Sequence, residues 1–195
     1  MQSKTFPVLA ALCLGAALPQ AANAHVFGAH GAGFAEGFAH PFLGLDHLLA
    51  MLGVGLWASQ LGGAALWRLP LAFLAVMAGA ALWASAGLDA ALVDTLVAGS
   101  VLALGLVVAC AARLPGFCSV LAVAGFALFH GYAHGLEMPA AASPWNYGAG
   151  FLLATASLHL AGLVLGGAAR RHRAWVRLGG AALAVGGAAL LWAGA

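Results

Sequence analysis

The segment VDTLVAGSVLALGLVVACAA, residues 93–112, decides the fold class of this chain. Its length matches the roughly 20 residues that a helix needs to cross a hydrocarbon core, and it carries one acid and no base. Of the 195 residues, 64% are hydrophobic and only 6% are charged, whereas a soluble domain carries about 25% charged residues. Such a chain cannot cover its surface with ionised groups, so a water-soluble globule is excluded and lipid is expected around it.

Five further apolar stretches have a similar length. The sequence therefore predicts an all-α, polytopic membrane protein built as a six-helix transmembrane bundle. Glycine, proline and charged residues separate the stretches, and the short loops imply that neighbouring helices are antiparallel. Glycine, 28 residues in all, and alanine recur along the stretches, and small residues let helices approach closely in lipid. The predicted spans are residues 43–62, 66–87, 93–112, 117–136, 145–168 and 175–194.

The first 24 residues have the features of a secretory signal peptide. Lys4 precedes an apolar run over residues 6–18, and Ala22-Asn23-Ala24 forms a small-x-small cleavage site. The alternative is an uncleaved membrane helix, but the run is shorter than a span and Pro19 ends it. We expect residues 1–24 to be removed and residues 25–195 to form the membrane domain, with His25 at the mature N-terminus.

The signs of the charges predict an orientation. A cleaved signal peptide places the mature N-terminus outside, and each span reverses the side of the next loop. On this threading the arginines fall in cytoplasmic loops, as the positive-inside rule requires, and the acids fall on the opposite side. A net charge of +2 with one basic cluster, at 170–177, argues against nucleic-acid binding. The arginines are at 68, 113, 170, 171, 173 and 177, and the acids at 36, 46, 89, 94 and 137.

A first polar cluster is HPFLGLDH, residues 40–47, at the outer end of the first predicted span. Pro41 suits the first turn of a helix, which places Asp46 and His47 about one turn inside the membrane boundary. Ionisable residues there are costly and usually functional. The alternative for Asp46 is a partner of the helix dipole. With His40 and His47 beside Asp46, we favour a functional site.

A second cluster is FHGYAHGLE, residues 129–137, at the outer end of the fourth span. His130 and His134 are one helical turn apart and Glu137 follows three residues later, so all three can project from one face. Neutral imidazoles and a carboxylate suit first-row transition metals. A lone membrane histidine is more often an interhelical hydrogen-bonding group, but this grouping favours a cation site.

The antiparallel topology brings both clusters to the outer face. Asp94, at the outer start of the third span, is expected to complete the group. His159 lies deeper, roughly 20 Å from the outer face by helical rise. It either contacts the cation on a path through the bundle or makes a hydrogen bond to a neighbouring helix. In the Gly-rich outer segment, His25, His30 and Glu36 are candidates for cation capture, although a solvated tail is favoured for Glu36.

These motifs resemble the HupE/UreJ family of small bacterial membrane proteins associated with hydrogenase and urease genes. The resemblance rests on the pattern HPxxGxDHxxxM from His40 to Met51 and on FHGxxHGxE from Phe129 to Glu137. It implies a nickel or cobalt transporter in the bacterial inner membrane with a periplasmic N-terminus. By the same resemblance, the metal motif comprises His40, Asp46, His47, His134 and Glu137, and Phe73 and Asp94 correspond to further family positions.

The sequence therefore predicts a permease for nickel, with lipid as its surroundings and no enzyme activity or resident cofactor. Its full metal set comprises His25, His40, Asp46, His47, Asp94, His130, His134, Glu137 and His159. Two alternatives stay open: an intramembrane zinc hydrolase, in which Asp46 or Glu137 acts as base, and a sensor or accessory protein that binds nickel without passing it. The sequence leaves the oligomeric state open.

Overall fold

The structure, a computed structural model, describes residues 33–84, 87–138 and 143–194. Helices joined by short turns make up these residues, with no strand among them, which confirms the all-α expectation. The proposed signal peptide and His25 lie outside the described residues. The helices are α1 (Phe34–Leu43), α2 (Leu45–Leu61), α3 (Ala65–Ala81), α4 (Ala90–Ala109), α5 (Gly116–Glu137), α6 (Pro144–Ala168) and α7 (Arg173–Ala193), with a short 3-10 turn at Ala169–Arg171.

Four of these helices, α4 to α7, are long and apolar enough to cross a membrane. The pair α1 and α2 meets the same criterion only as one unit that bends by 84° at its break, while α3 is a shorter apolar helix of 17 residues. Helices of this composition indicate a multi-pass membrane protein with four to five clear spans. The crossing by all six predicted stretches stays a prediction, because α3 reaches only about 25 Å at 1.5 Å per residue.

Helix α2 lies at the centre of the bundle, in contact with α3, α4, α6 and α7. Close backbone contacts hold the neighbours together. A methyl group at Gly55 of α2 would collide with the His159 carbonyl and with Gly162 of α6, and one at Gly131 of α5 would collide with the Met77 carbonyl of α3. Small residues are therefore required at these crossings, as expected for helices packed in lipid.

Exposed tryptophans form two groups at opposite ends of the bundle. Trp145 and Trp192, at the start of α6 and the end of α7, are 81% and 93% exposed. Trp67 and Trp175, at the start of α3 and of α7, are exposed at the other end. Indole rings favour the two membrane–water interfaces, so their placement fits a bundle that spans a bilayer.

Charges are also divided between the two ends. The arginines in the described ranges lie at the end where α2 finishes and α7 begins; Arg177 Nε donates to the Ala109 carbonyl at 2.7 Å and Arg170 Nη2 to the Ser59 carbonyl at 3.5 Å. The acids lie at the opposite end, where α2 and α6 begin and α5 finishes. Asp89 caps α4 there by accepting from the Leu92 amide at 3.0 Å.

Candidate metal centre

A sharp bend at Gly44 positions the first two histidines of the acidic end. Gly44 has an extended backbone (φ −85°, ψ 117°) and turns the chain so that the rings of His40 and His47 lie 5.8 Å apart. In one continuous helix, seven residues would separate them by about 10 Å along the axis. The expectation that Pro41 lies in the first turn of the first membrane helix is therefore wrong: Pro41 lies inside α1, and the break comes at Gly44.

The C-terminal turn of α5 supplies the other members of the group. Glu137 Oε2 lies 3.0 Å from His40 Nε2, 3.5 Å from His134 Nδ1 and 3.7 Å from His47 Nε2. One ligand atom from each of these four side chains lies within 4.8 Å of the others. Three helices, α1, α2 and α5, thus contribute to one cluster, which we call the four-ligand site.

Exposure changes across the four-ligand site. The side chains of His40 and Glu137 are 29% and 45% exposed, whereas those of His47 and His134 are 2% and 4% exposed. Neither ring nitrogen of His134 makes a hydrogen bond to a described residue, and the ring packs 3.9 Å from that of Phe151. The site therefore runs from a solvent-accessible rim to a buried inner half.

A chain of hydrogen-bond contacts runs from Ser100 to His47 and favours one tautomer of the His47 ring. Ser100 Oγ donates its proton to the Val97 carbonyl at 2.7 Å, so it accepts from His130 Nε2 at 3.0 Å. A neutral His130 then accepts at Nδ1, and His47 Nδ1 donates to it across 3.3 Å. The lone pair of His47 consequently lies on Nε2, the nitrogen that faces Glu137 Oε2.

The predicted residue Asp46 contacts this chain from the other side. Its Oδ2 lies 3.3 Å from His47 Nδ1, and its Oδ1 accepts from the His47 amide at 2.8 Å. The Asp46 carboxylate therefore lies beside the Nδ1–H that His47 directs to His130, and a carboxylate at the outer N–H of a histidine helps to fix the ring and raises its basicity toward a metal. Asp46 and His130 therefore contact the Nδ1 side of His47, and its Nε2 side faces the four-ligand site.

Other predicted residues lie outside the four-ligand site. Asp94 is exposed near the start of α4, and His159 is buried in α6 with its Nδ1 2.8 Å from the Met51 carbonyl. The expectation of a solvated tail is wrong for Glu36, which lies in the first turn of α1 with Oε2 buried. Ser100 was missed, although a serine inside an otherwise apolar span was a signal for a buried polar contact.

Three imidazoles and one carboxylate make a donor set for a divalent transition-metal ion. Imidazole suits nickel, cobalt, zinc and copper, and a carboxylate adds compensating negative charge. Helix α5 ends at Glu137, so the negative end of its dipole also favours a cation there. The arrangement can therefore replace part of the hydration shell of a small divalent ion.

Comparisons with known proteins agree with the motifs. The sequence model of the family described as HupE / UreJ protein matches residues 11–190. The relative named Protein HupE from Rhizobium leguminosarum bv. viciae is 44% identical over 191 residues, which cover 97% of each chain. No solved structure is detectably similar to this chain.

Proposed function

Because the chain belongs to the HupE/UreJ family, we propose that it is a permease that carries nickel or cobalt ions from the periplasm to the cytoplasm and so supplies the maturation of hydrogenase or urease. The ion is cargo rather than a resident cofactor. The bilayer surrounds the protein, which sits in the inner membrane with its acidic end in the periplasm and its arginine end in the cytoplasm.

The four-ligand site is the observation that carries this proposal. Its rim residues, His40 and Glu137, are accessible to a hydrated ion, and its inner residues, His47 and His134, are buried. An ion that moves from rim to interior exchanges water for nitrogen and oxygen ligands one at a time. A transport site has to select its ion and still release it, and the stepwise exchange supports both.

The membrane potential supplies enough energy for this uptake. A charge that crosses the membrane gains about 2.3 kcal/mol per 100 mV, so a divalent cation that enters a negative interior gains about 4.6 kcal/mol. Facilitated diffusion therefore needs no ATP. The arginines at the cytoplasmic end do not retain the ion, since a guanidinium group has no lone pair to offer a cation.

Uptake of radioactive nickel by proteoliposomes tests the proposal. Purified protein in vesicles with a negative interior potential should accumulate nickel faster than empty vesicles do, and cobalt should compete. Binding of nickel to the purified protein is measured in parallel. Binding with uptake equal to that of empty vesicles would contradict the permease and favour an accessory protein. Release of product from zinc-loaded protein offered lipid or peptide substrates would favour the hydrolase instead.

A further inference from the structure

The ring of His159, in the interior of α6, has one nitrogen engaged and one without a partner. Nδ1 lies 2.8 Å from the Met51 carbonyl oxygen, and because a carbonyl only accepts, the proton of the neutral ring is on Nδ1. Nε2 then carries the lone pair. It is buried and makes no hydrogen bond to any residue that the structure describes. Metal-binding histidines commonly have this arrangement, with one nitrogen donating to a backbone carbonyl and the other free for the ion.

A second unpartnered polar atom lies one turn earlier on the same face of α6. Thr155 is fully buried, and its Oγ1 has no hydrogen-bond partner in the described part of the chain. An unsatisfied buried hydroxyl costs about 1–3 kcal/mol. Residues four apart on a helix lie one above the other, so Thr155 and His159 follow one line along α6. Each has a buried atom with a lone pair and no hydrogen-bond partner among the described residues.

This line leads away from the four-ligand site. Phe151 precedes Thr155 by one turn, and its ring packs 3.9 Å from that of His134. Each step of four residues advances about 6 Å along the helix, so Thr155 and His159 lie about 6 and 12 Å further along α6 than Phe151. The buried ring of Phe73 contacts the far end of the line, 5.1 Å from the ring of His159 and 5.8 Å from that of His130.

We propose that Thr155 Oγ1 and His159 Nε2 form a second, inner cation site that a divalent transition-metal ion occupies, still partly hydrated, after it leaves the four-ligand site. This inference rests on the proposed permease function. One imidazole and one hydroxyl bind more weakly than three imidazoles and a carboxylate. Weak binding suits an interior site, because an ion held too tightly there would block the path.

Uptake by matched variants gives the first test. His159→Asn keeps an amide that donates to the Met51 carbonyl and removes the Nε2 ligand. Thr155→Val removes the hydroxyl at constant size, and Thr155→Ser restores it. We expect uptake to fall at least about tenfold in His159→Asn and about threefold in Thr155→Val, with Thr155→Ser close to wild type. Nickel affinity at the four-ligand site should be unchanged in all three, since none of them alters that site.

Wild-type uptake by His159→Asn would overturn the inner site, and so would a loss of affinity at the four-ligand site that parallels the loss of uptake. The second result would mean that His159 only holds the helices together. If the wild-type protein moves no nickel at all, the permease proposal fails, and a binding measurement then decides on the inner site by itself.

That measurement uses the full chain with all three imidazoles of the four-ligand site removed by the triple change His40→Ala, His47→Ala and His134→Ala. At millimolar nickel, this protein should bind one weak ion with an imidazole nitrogen in its X-ray absorption spectrum. Adding His159→Asn should abolish the nitrogen signal, while adding His172→Ala, which removes an exposed histidine at the other end, should leave it. Absence of the signal in the triple variant, or its survival after His159→Asn, would contradict the inner site.

Discussion

His130 Nδ1 lies 3.3 Å from His47 Nδ1, so one histidine that takes no direct part in the four-ligand site orients another that does. The chain that begins at Ser100 ends at the lone pair of His47, and removing its first member should disturb the last.

Ser100→Ala should therefore lower nickel affinity by up to about tenfold without removing a ligand. This is the lower end of the loss that follows removal of an outer hydrogen bond to a metal-binding histidine, because Ser100 bonds to His130 rather than to His47 itself. Isothermal titration of purified protein measures the affinity. Ser157→Ala is a matched control, because Ser157 makes the same kind of bond, to the Ala154 carbonyl at 2.6 Å, away from the site. Equal affinity in wild type and Ser100→Ala would contradict the orienting chain.

His47→Ala and His134→Ala should each abolish nickel uptake while the protein stays folded, because each removes a ligand rather than a packed apolar group. Uptake by proteoliposomes and the circular dichroism spectrum are measured on the same samples. His172→Ala, an exposed histidine among the arginines, should transport normally. If both site variants transport at the wild-type rate, the four-ligand assignment is wrong.

Gly55→Ala should destabilise the bundle by about 1–3 kcal/mol, the usual cost of an added methyl group in a tight contact, since that group meets the backbone of α6. Gly125→Ala meets nothing within 4 Å and should be neutral or slightly stabilising. Thermal unfolding in detergent compares the two. A melting temperature of Gly55→Ala equal to that of Gly125→Ala would show that α2 and α6 do not meet at Gly55.

Cysteine labelling tests the orientation. Cys110 and Cys118 are free and exposed beside the arginine end, so a membrane-impermeant maleimide should label them only after spheroplasts are permeabilised. In a variant with Cys13, Cys110 and Cys118 changed to Ser, Ala90→Cys at the acidic end should be labelled without permeabilisation. The reverse pattern would invert the proposed topology and with it the direction of uptake.

The N-terminal sequence of the purified protein tests the signal peptide. Cleavage after Ala24 should give a chain that begins His25-Val26-Phe27. A protein of full mass that retains Lys4 would show that the leader remains as a membrane segment.

Hydrophobic length and helical spacing were sufficient to predict most of the helices. The predicted span 117–136 corresponds to α5, Gly116–Glu137, and 145–168 to α6, Pro144–Ala168. The spacing of His134 and Glu137 likewise predicted their common face. These features are local, because the helical period and the length of an apolar stretch depend only on residues that are close together in the sequence.

Features that depend on contacts between helices were not predictable in the same way. Residues 34–42 belong to none of the predicted spans, yet they form most of α1, whose Gly37 fits directly against the Tyr147 carbonyl. The exposure of Asp94 and the path from Ser100 to His47 also depend on how α4, α5 and α2 meet. Packing of this kind outweighs local propensity and leaves no periodic signal.

The bend at Gly44 also sets the order in which the site comes into being during synthesis. His40 leaves the ribosome early, but the surface that holds α1 belongs to α6, about a hundred residues later in the chain. The nascent protein therefore contains His40 well before α6, the helix that holds α1 in place, has been synthesised. A half-inserted chain therefore lacks the arrangement of the four-ligand site, which is complete only once the penultimate helix, α6, has packed against α1.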